Sequence, residues 1–331
     1  MSAAVVAEAE ARRGLVESGL RLAKAGLVAR SWGNLSLRLD GGSMAVTPSG
    51  IPYADLREDM IVIVDLETGE WSGAWKPTSE RKIHREIYLR RPEVGAIVHT
   101  HQDAASACAA ARASVEAPWG KVPCAAYALP GTNAITRAVV EALGPRPAVL
   151  MANHGVIAVG GTMDSAFETI LALEGTCADR LAADFRGTMP ERPDAQWDPR
   201  WLSPAMLEDG SPIIVSRAPF TLAWADEEGP KRAFLDDLAQ LAGPRLALSK
   251  RKPARGLPCH VVLVKNLGAF IAGPDAEATA MVVEKNARAE ILGRALGGAK
   301  PIPAWEARLM RFVYDKSYAR RAAKAKYASA G

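Results

Sequence analysis

The chain has 331 residues, of which 49 % are hydrophobic and 24 % are charged. This composition excludes a disordered chain and predicts a sizeable core, and the length favours two domains of about 150 residues. Of the net charge of +4, residues 201–331 carry +7 and residues 1–200 carry −3. The basic residues are not interleaved with aromatic ones in a nucleic-acid-binding motif, so we predict no nucleic-acid partner.

Cysteine usage and the N-terminal residues indicate the compartment. The four cysteines are widely spaced, and charged residues interrupt the first stretch of the chain, which argues against a signal peptide. We therefore predict a reduced, cytoplasmic protein. No run of about 18 apolar residues occurs, so we predict no membrane partner.

The hydrophobic pattern of the first 100 residues predicts helices and strands in alternation. A helix is predicted over residues 6–29, with Leu15, Leu20, Leu22 and Leu27 on its apolar side. Further segments follow in chain order: strands at 31–38, 44–47 and 60–65, a helix at 78–89 and a buried strand at 94–100.

The pattern continues to residue 184. It predicts an alanine-rich helix at 104–113, a helix at 132–143, a strand–turn–strand unit at 148–159 and a long helix at 164–184. Many loops are too short for parallel crossovers, so the α/β fold should contain a mixed or mainly antiparallel sheet covered by helices. A Pro- and Asp-rich stretch at 190–199 is the predicted linker.

An internal similarity links the two halves of the chain. Residues 149–160 and 262–273 both consist of an apolar strand, Asn-x-Gly and a second apolar strand ending at Gly, and each is followed by a predicted helix. His154 in the first segment is replaced by Leu267 in the second. Two explanations are open: the two strand–turn–strand units are unrelated and similar by chance, or the second is a degenerate repeat that has lost a metal ligand.

Three of the five histidines lie in two short motifs. In His99-Thr-His101, the alternation of a strand directs both imidazoles to one face. His154, before Gly155, could complete a three-imidazole site with open positions, which is typical of a catalytic rather than a structural metal. The alternative from these residues alone is a set of hydrogen-bonded core histidines.

Six motifs in order give the front half a family resemblance. They are Gly33-Asn-Leu-Ser, Thr47-Pro-Ser-Gly-Ile-Pro-Tyr, Pro77-Thr-Ser-Glu with His84, Val98-His-Thr-His, Val122-Pro-Cys-Ala-Ala-Tyr and Asn153-His-Gly. Together they resemble the class II aldolase/adducin family, to which fuculose-phosphate aldolase belongs. The resemblance covers roughly residues 10–185 and implies a three-layer αβα sandwich.

The resemblance also implies a metal site and a reaction. Zinc, or another divalent ion such as Mn²⁺ or Co²⁺, would be bound by His99, His101 and His154. It would stabilise the ene-diolate formed when a ketose phosphate is cleaved or made, with Glu80 exchanging the proton. Epimerases of the family have Asp at the position of Glu80, so Glu favours a carbon–carbon lyase, an aldolase of carbohydrate metabolism.

The substrate phosphate would be held by backbone amides and small hydroxyls. The positions that match the family are Gly33, Asn34, Ser49, Gly50, Thr78 and Ser79. The matching segments contain no dedicated arginine, so a carboxylate could replace the phosphate. We interpret His84, four residues after Glu80, as a structural histidine.

One departure from the family keeps other functions open. Related aldolases have a longer segment before the Pro-Cys-Ala motif, with a tyrosine that protonates the aldehyde oxygen, whereas residues 102–122 contain no tyrosine. A decarboxylase of a 3-keto sugar acid remains the alternative, because it needs no such donor. A non-catalytic adducin-like module is the second alternative.

The complete prediction assigns two domains. Residues 1–197 form the metal-dependent catalytic domain, and residues 198–331 form a smaller α/β degenerate repeat that is non-catalytic or interface-forming. Family active sites lie between subunits, so the resemblance implies a homo-oligomer, a dimer or a tetramer, with a small-molecule substrate.

Overall fold

The computed structural model describes residues 7–28, 32–186, 197–257, 260–273 and 276–318. The chain divides into two compact units, Met1–Arg180 and Leu181–Gly331, which we call the front unit and the back unit. The division falls earlier than the predicted boundary between residues 197 and 198. Most of the predicted linker at 190–199 lies outside the described residues. No helix in the described ranges is long and apolar enough to cross a membrane.

The front unit contains a seven-stranded sheet and a separate two-stranded hairpin. Its strands are β1 (Asn34–Leu39), β2 (Ser43–Val46), β3 (Val62–Asp65), β4 (Ala96–Thr100), β5 (Val115–Ala117), β6 (Gly120–Val122), β7 (Cys124–Ala125), β8 (Ala148–Met151) and β9 (Gly155–Gly160). The sheet order is β3-β2-β1-β4-β9-β8-β7, and β5 pairs with β6. Every neighbouring pair in the sheet is antiparallel except β7 and β8. The predicted mixed, mainly antiparallel sheet is confirmed.

Helices cover this sheet on both faces. They are α1 (Glu8–Lys24), α2 (Arg81–Arg90), α3 (Asp103–Ala111), α4 (Asn133–Leu143) and α5 (Met163–Asp184), the last of which crosses the unit boundary. Apolar residues of α2 and α4 join residues of six strands in one buried cluster. Helices α1 and α3 contact the sheet but contribute no residue to that cluster, so they pack on its other face. The result is the three-layer arrangement implied by the resemblance.

The first helix is shorter than the pattern predicts. It ends at Lys24, because Gly26 takes a φ of +70° and the Leu27 N–H bonds back to the Leu22 carbonyl, which terminates the helix. Leu15 and Leu22 are fully buried, as expected, but Leu20 is 47 % exposed and does not belong to the apolar side. The first and last predicted residues, 6 and 29, lie outside the described part of the chain.

The back unit contains a second, six-stranded sheet. Its strands are β10 (Leu202–Met206), β11 (Pro212–Ser216), β12 (Lys231–Arg232), β13 (Arg245–Ser249), β14 (Val261–Val264) and β15 (Gly268–Ile271), in the order β10-β11-β15-β14-β13-β12. Its helices are α6 (Pro219–Asp226), α7 (Asp236–Ala242), α8 (Ala276–Gly293) and α9 (Ala304–Val313). Helices α6 and α8 pack on β15. The predicted α/β fold of the C-terminal region is confirmed.

The two similar sequence segments form similar hairpins. In the front unit, β8 and β9 flank Asn153, which has a φ of +63°, and α5 follows. In the back unit, β14 and β15 flank Asn266, which has a φ of +62°, and α8 follows. Asparagine is among the few residues that tolerate this left-handed conformation. The turn geometry is therefore the same in both units.

Candidate active site

Strand β4 delivers two of the three predicted metal ligands. His99 lies within β4 and His101 follows its last residue, so the two side chains share one face. Between them, Thr100 is also buried and its hydroxyl bonds to Gln102 at 3.0 Å. His99 is completely buried because β4 is a central strand, paired with both β1 and β9.

The tight turn between β8 and β9 delivers the third imidazole. His154 follows Asn153, whose positive φ reverses the chain, and precedes Gly155. A Cβ atom on Gly155 would lie 2.4 Å from the Thr100 carbonyl oxygen and 3.1 Å from the His101 ring. Glycine is thus required here for the close approach of two backbones, whereas the residue of positive φ that reverses the chain is Asn153.

The three imidazoles converge on one point. The His99 Nε2 and His101 Nε2 atoms lie 2.8 Å apart, and one ring nitrogen from each of His99, His101 and His154 lies within 4.8 Å of the others. The ring centroids are 4.6–5.0 Å apart. All three residues are buried. This donor set fits a divalent cation, since three imidazole nitrogens facing one point are the protein ligands of many catalytic zinc sites.

Glu80 completes the cluster from the start of α2. Its Oε1 lies 2.7 Å from the His154 Nε2, and its Oε2 lies 3.1 Å from the His99 Nε2. The Asn34 side-chain amide donates to Oε2 at 2.7 Å. The carboxylate is buried. A base at this position can reach a substrate bound beside the three imidazoles.

Burial and mutual contact set the charges of these groups. Burial lowers the pKa of His99 to about 3, although the Glu80 carboxylate opposes the shift. Burial also disfavours ionisation of Glu80, but the imidazoles of His99, His154 and His101 outweigh it and hold the pKa of this carboxyl well below its ordinary value. At neutral pH His99 is therefore a neutral ring with a lone pair to give to a metal, and Glu80 is an ionised base.

The predicted phosphate contacts lie on two adjacent loops and on the start of β1. The Ser49 N–H bonds to the Lys76 carbonyl, and the Thr78 N–H bonds to the Thr47 carbonyl, which joins the loop of Ser49 and Gly50 to that of Thr78 and Ser79. Helix α2 begins at Arg81, and the Thr78 hydroxyl accepts a hydrogen bond from the Glu80 N–H. The structure thus brings these four residues together at the beginning of α2.

The other two predicted contacts, Gly33 and Asn34, lie against β4. Gly33 has a φ of +91°, and a Cβ atom there would lie 2.6 Å from the His99 carbonyl oxygen. Asn34 is paired with His99 in the β1–β4 register. Its buried amide contacts Glu80, a contact that the sequence did not predict. The sequence contains a signal for this contact. Asn34 and Ser36 are polar residues two positions apart on a buried strand, and Glu80 and His84 are four positions apart at the start of α2, so each pair lies on one face of its element.

Comparison with known proteins agrees with the geometry. Residues 13–181 match the family described as the class II aldolase and adducin N-terminal domain. The chain is similar to an L-fuculose 1-phosphate aldolase structure, with a TM-score of 0.52 and 30 % identity over 54 % of this chain and 87 % of that one. The fold and site define an α/β protein of the class II aldolase type.

Curated relatives lead to the same assignment. A 5-methylthioribulose-1-phosphate/5-deoxyribulose-1-phosphate aldolase of Rhodospirillum rubrum is 38 % identical over 171 residues, which span 49 % of this chain and 76 % of that protein. The L-fuculose phosphate aldolase of Escherichia coli K12 is 33 % identical over 46 % of this chain and 74 % of its own length. A 3-oxo-tetronate 4-phosphate decarboxylase of Pectobacterium atrosepticum is 32 % identical over 53 % of this chain and 85 % of that protein.

The chain belongs to the class II aldolase and adducin N-terminal domain family. The predicted family and the predicted enzyme class, a class II aldehyde-lyase or related carboxy-lyase, are confirmed.

Proposed function

We propose that the front unit is a zinc-dependent carbon–carbon lyase that cleaves or forms a ketose phosphate. The observation that supports this most directly is the convergence of three imidazoles with Glu80, which lies 2.7 Å from the His154 Nε2. When bound, a divalent cation with open positions would polarise the substrate carbonyl and hydroxyl oxygens and favour negative charge there. His99, His101 and His154 are the residues that would hold it.

Glu80 supplies the proton transfer in this proposal. Its carboxylate is ionised and buried beside the imidazoles, so it can take a proton from the substrate carbon next to the carbonyl and return it. The Ser49 and Thr78 amides join the two loops to each other, so the loops would offer the phosphate the hydroxyls of Ser49, Thr78 and Ser79 and the backbone amides of Gly50 and Ser79. Substrate binding there would place the reacting carbon near Glu80, at the start of the same helix.

Hydrogen exchange tests this proposal. Metal-loaded protein incubated with dihydroxyacetone phosphate in deuterated water should exchange hydrogen at the carbon next to the carbonyl. Because Glu80 is the proposed base, Glu80→Gln should slow the exchange by about 10²–10⁴-fold. Glu86→Gln, on the same helix but engaged with Arg85 and Arg90, is the matched control and should exchange at the wild-type rate. Full exchange by Glu80→Gln would exclude the mechanism.

A decarboxylase of a 3-keto sugar acid is the second candidate. The segment 102–122 folds as α3 and the β5–β6 hairpin and contains no tyrosine to protonate an aldehyde oxygen. Loss of carbon dioxide needs no such donor, and one relative is named as a decarboxylase. Release of carbon dioxide from a phosphorylated 3-keto acid, without exchange on dihydroxyacetone phosphate, would select this candidate.

A non-catalytic adducin-like module is the least favoured reading, because the front unit keeps all three imidazoles and the carboxylate in contact. One divalent ion per chain in the purified protein supports the enzyme, and none would support the module. We further propose that the protein is a cytoplasmic homo-oligomer and that its metal is zinc rather than Mn²⁺ or Co²⁺. The described cysteines Cys108, Cys124 and Cys177 are free thiols, consistent with a reducing compartment.

For the back unit we propose a degenerate, non-catalytic repeat of the front unit. In the β4–β9 pair Thr100 faces Val156, and in the β11–β15 pair Ser216 faces Ala269. Aligning these pairs aligns Gly155 with Gly268, whose Cβ would lie against the Ser216 carbonyl oxygen as that of Gly155 would against Thr100.

A similar helix cap is found in both units. The Glu174 carboxylate of α5 accepts the N–H groups of Ala104 and Ala105 at the start of α3. The Glu284 carboxylate of α8 accepts those of Phe220 and Thr221 at the start of α6. In this alignment the positions of His99, His101 and His154 are occupied by Val215, Arg217 and Leu267, which cannot form a metal site.

A further inference from the structure

Helix α2 is attached to strand β1 by a buried polar cluster made of Asn34, Ser36, Glu80, His84 and Tyr88. Asn34 and Ser36 are two residues apart on β1, so they lie on the same face of the sheet. Glu80 and His84 are four residues apart at the beginning of α2, so they lie one above the other on the same side. The two spacings match, so Asn34 meets Glu80, and Ser36 meets His84 and Tyr88.

The first contact holds the carboxylate itself. The Asn34 Nδ2 donates to the Glu80 Oε2 at 2.7 Å, and both residues are buried. The Asn34 Oδ1 has no hydrogen-bond partner among the described residues, so the carboxamide is placed by Glu80 and by the β1 backbone. A buried hydrogen bond to a charged acceptor is among the stronger ones in proteins.

The second contact fixes the next turn of the helix. The Ser36 Oγ lies 2.7 Å from the His84 Nδ1 and 2.8 Å from the Tyr88 Oη. His84 and Tyr88 are fully buried. Because one hydroxyl joins two residues of α2, it fixes the rotation of the helix and its position along β1.

We infer that Asn34 and Ser36 are positioning residues for Glu80: Asn34 orients the carboxylate directly, and Ser36 holds α2 in register through His84 and Tyr88. The inference deepens the proposed function and rests on it for its kinetic part. It gives Asn34 a role different from the phosphate contact that the sequence predicts, and the two roles have different kinetic consequences.

Kinetics separate the two roles. Asn34→Asp keeps the shape and the acceptor but loses the donated N–H and places a second carboxylate beside Glu80. A displaced base should lower kcat for hydrogen exchange on dihydroxyacetone phosphate by about 100-fold. The KM and the inhibition constant of inorganic phosphate should stay within about threefold of wild type, because the loops of Ser49, Gly50, Thr78 and Ser79, which carry the other proposed phosphate contacts, are untouched. Asn133→Asp, the same change at an exposed position of α4, is the matched control and should leave both unchanged.

The opposite result identifies a phosphate ligand. If Asn34→Asp raises the KM and the phosphate inhibition constant by more than about tenfold while kcat is kept, the positioning role is wrong. For the second contact, Ser36→Ala should lower kcat by about tenfold with KM unchanged, since α2 loses its register. An unchanged kcat in Ser36→Ala would remove Ser36 from the inference.

A measurement independent of activity tests the contact in the full chain. Hydrogen–deuterium exchange of the α2 amides gives the local opening constant of this helix. Asn34→Ala should raise that constant about tenfold when Glu80 is present and less than threefold in a Glu80→Ala background, because the donor then has no carboxylate to hold. If Asn34→Ala raises the opening constant of α2 by the same factor with and without Glu80, the inference is wrong. If the wild type catalyses no exchange on the substrate, the proposed function fails and this double-mutant comparison decides the inference alone.

Discussion

The β8–β9 hairpin and the β14–β15 hairpin make the same turn with different chemistry. Both turn at an asparagine of positive φ, and both bring a glycine against the carbonyl of a neighbouring strand. The front turn carries His154, and the back turn carries Leu267. The comparison shows that the turn and its close packing do not depend on a histidine at this position, so in the proposed repeat the ligand could be lost without loss of the scaffold.

The faces of the two sheets differ in the same way. In the front unit, the face that carries His99 is covered by α2 and α4, and Glu80 stands at the start of α2. The corresponding face of the back unit is an apolar cluster formed by the strands and by loop residues such as Leu207 and Leu257. No described helix of the back unit contributes to that cluster. Among the described residues of the back unit, no helix covers this face as α2 covers the front one, so none presents a residue there as α2 presents Glu80.

The largest expected effect comes from giving the front hairpin the residue of the back one. His154→Leu removes one of three ligands, so the affinity for zinc should fall on the order of a thousandfold. The measurement is the zinc content after equilibrium dialysis against a chelator. The reverse change, Leu267→His, should add no bound zinc, because Val215 and Arg217 supply no ligands. Zinc gained by Leu267→His would contradict the proposed degeneracy of the back unit.

A buried ion pair of the back unit has the next largest effect. Lys285 Nζ lies 2.7 Å from Asp237 Oδ2, and both residues are buried. Lys285→Met removes the cation and should destabilise the back unit by about 3–5 kcal/mol. Hydrogen–deuterium exchange would show faster exchange in α7 and α8 but not in β4 or β9. Lys265→Met, at an exposed position, is the control, and equal destabilisation by both variants would argue against a role for the pair.

The two units should respond in opposite directions to pH. Burial lowers the pKa of His84 from 6.5 to about 4, so the unfolded chain binds the proton more readily. The front unit should therefore lose roughly 3 kcal/mol as the pH falls from above 6.5 to about 4. Burial raises the pKa of Glu284, so its contribution to the back unit is present below pH 4.5 and is lost as the pH rises through the raised value.

Exchange rates measured unit by unit across this range test the contrast. His84→Gln should reduce the acid response of the front unit by roughly 3 kcal/mol, and the response that remains belongs to His99, whose pKa burial also lowers. Glu284→Gln should reduce the opposite response of the back unit, where burial also raises the pKa of Glu290. The same slope in both units, or an acid response that His84→Gln leaves unchanged, would contradict the contrast.

The smallest effect tests the equivalence of the two helix caps. Glu174→Gln and Glu284→Gln each replace a carboxylate that accepts two N–H groups at a helix start. Each change should cost its own unit about 1–2 kcal/mol, measured as the shift in the urea midpoint of α3 or α6 exchange. A cost confined to one unit would show that the caps are not equivalent.

Sequence patterns predicted the elements of the front unit well, because alternation and helical periodicity are strong where one face is buried. The end of α1 was placed too late, because Leu27 was assigned to the apolar side of the helix although Gly26, with a φ of +70°, ends the helix before it. Leu20 was assigned to the same side, although its side chain faces solvent. The ligands His99, His101 and His154 could be proposed because two lie on one strand and the third precedes a glycine. The residues alone left open whether the three imidazoles form one site or are separate core histidines, because that depends on the β4–β9 pairing.

The contacts of Glu80 lay beyond the reach of sequence reasoning. The Asn34–Glu80 bond joins residues 46 positions apart, and its existence depends on where α2 packs on β1. Local patterns carry no such long-range information, although polar residues on a buried strand mark where to look. Predicted linker residues and the C-terminal tail after residue 318 lie outside the described chain.

The hydrogen bond from His99 has a consequence for the chemistry of the ligands. Its Nδ1 lies 2.9 Å from the Val156 carbonyl oxygen, which can only accept a hydrogen bond. The proton therefore resides on Nδ1, and the ring is held in the tautomer that presents the lone pair of Nε2 to the cluster. Because this partner is main chain, no side-chain substitution at Val156 removes it. The tautomer of this proposed ligand is therefore set by the strand pairing itself.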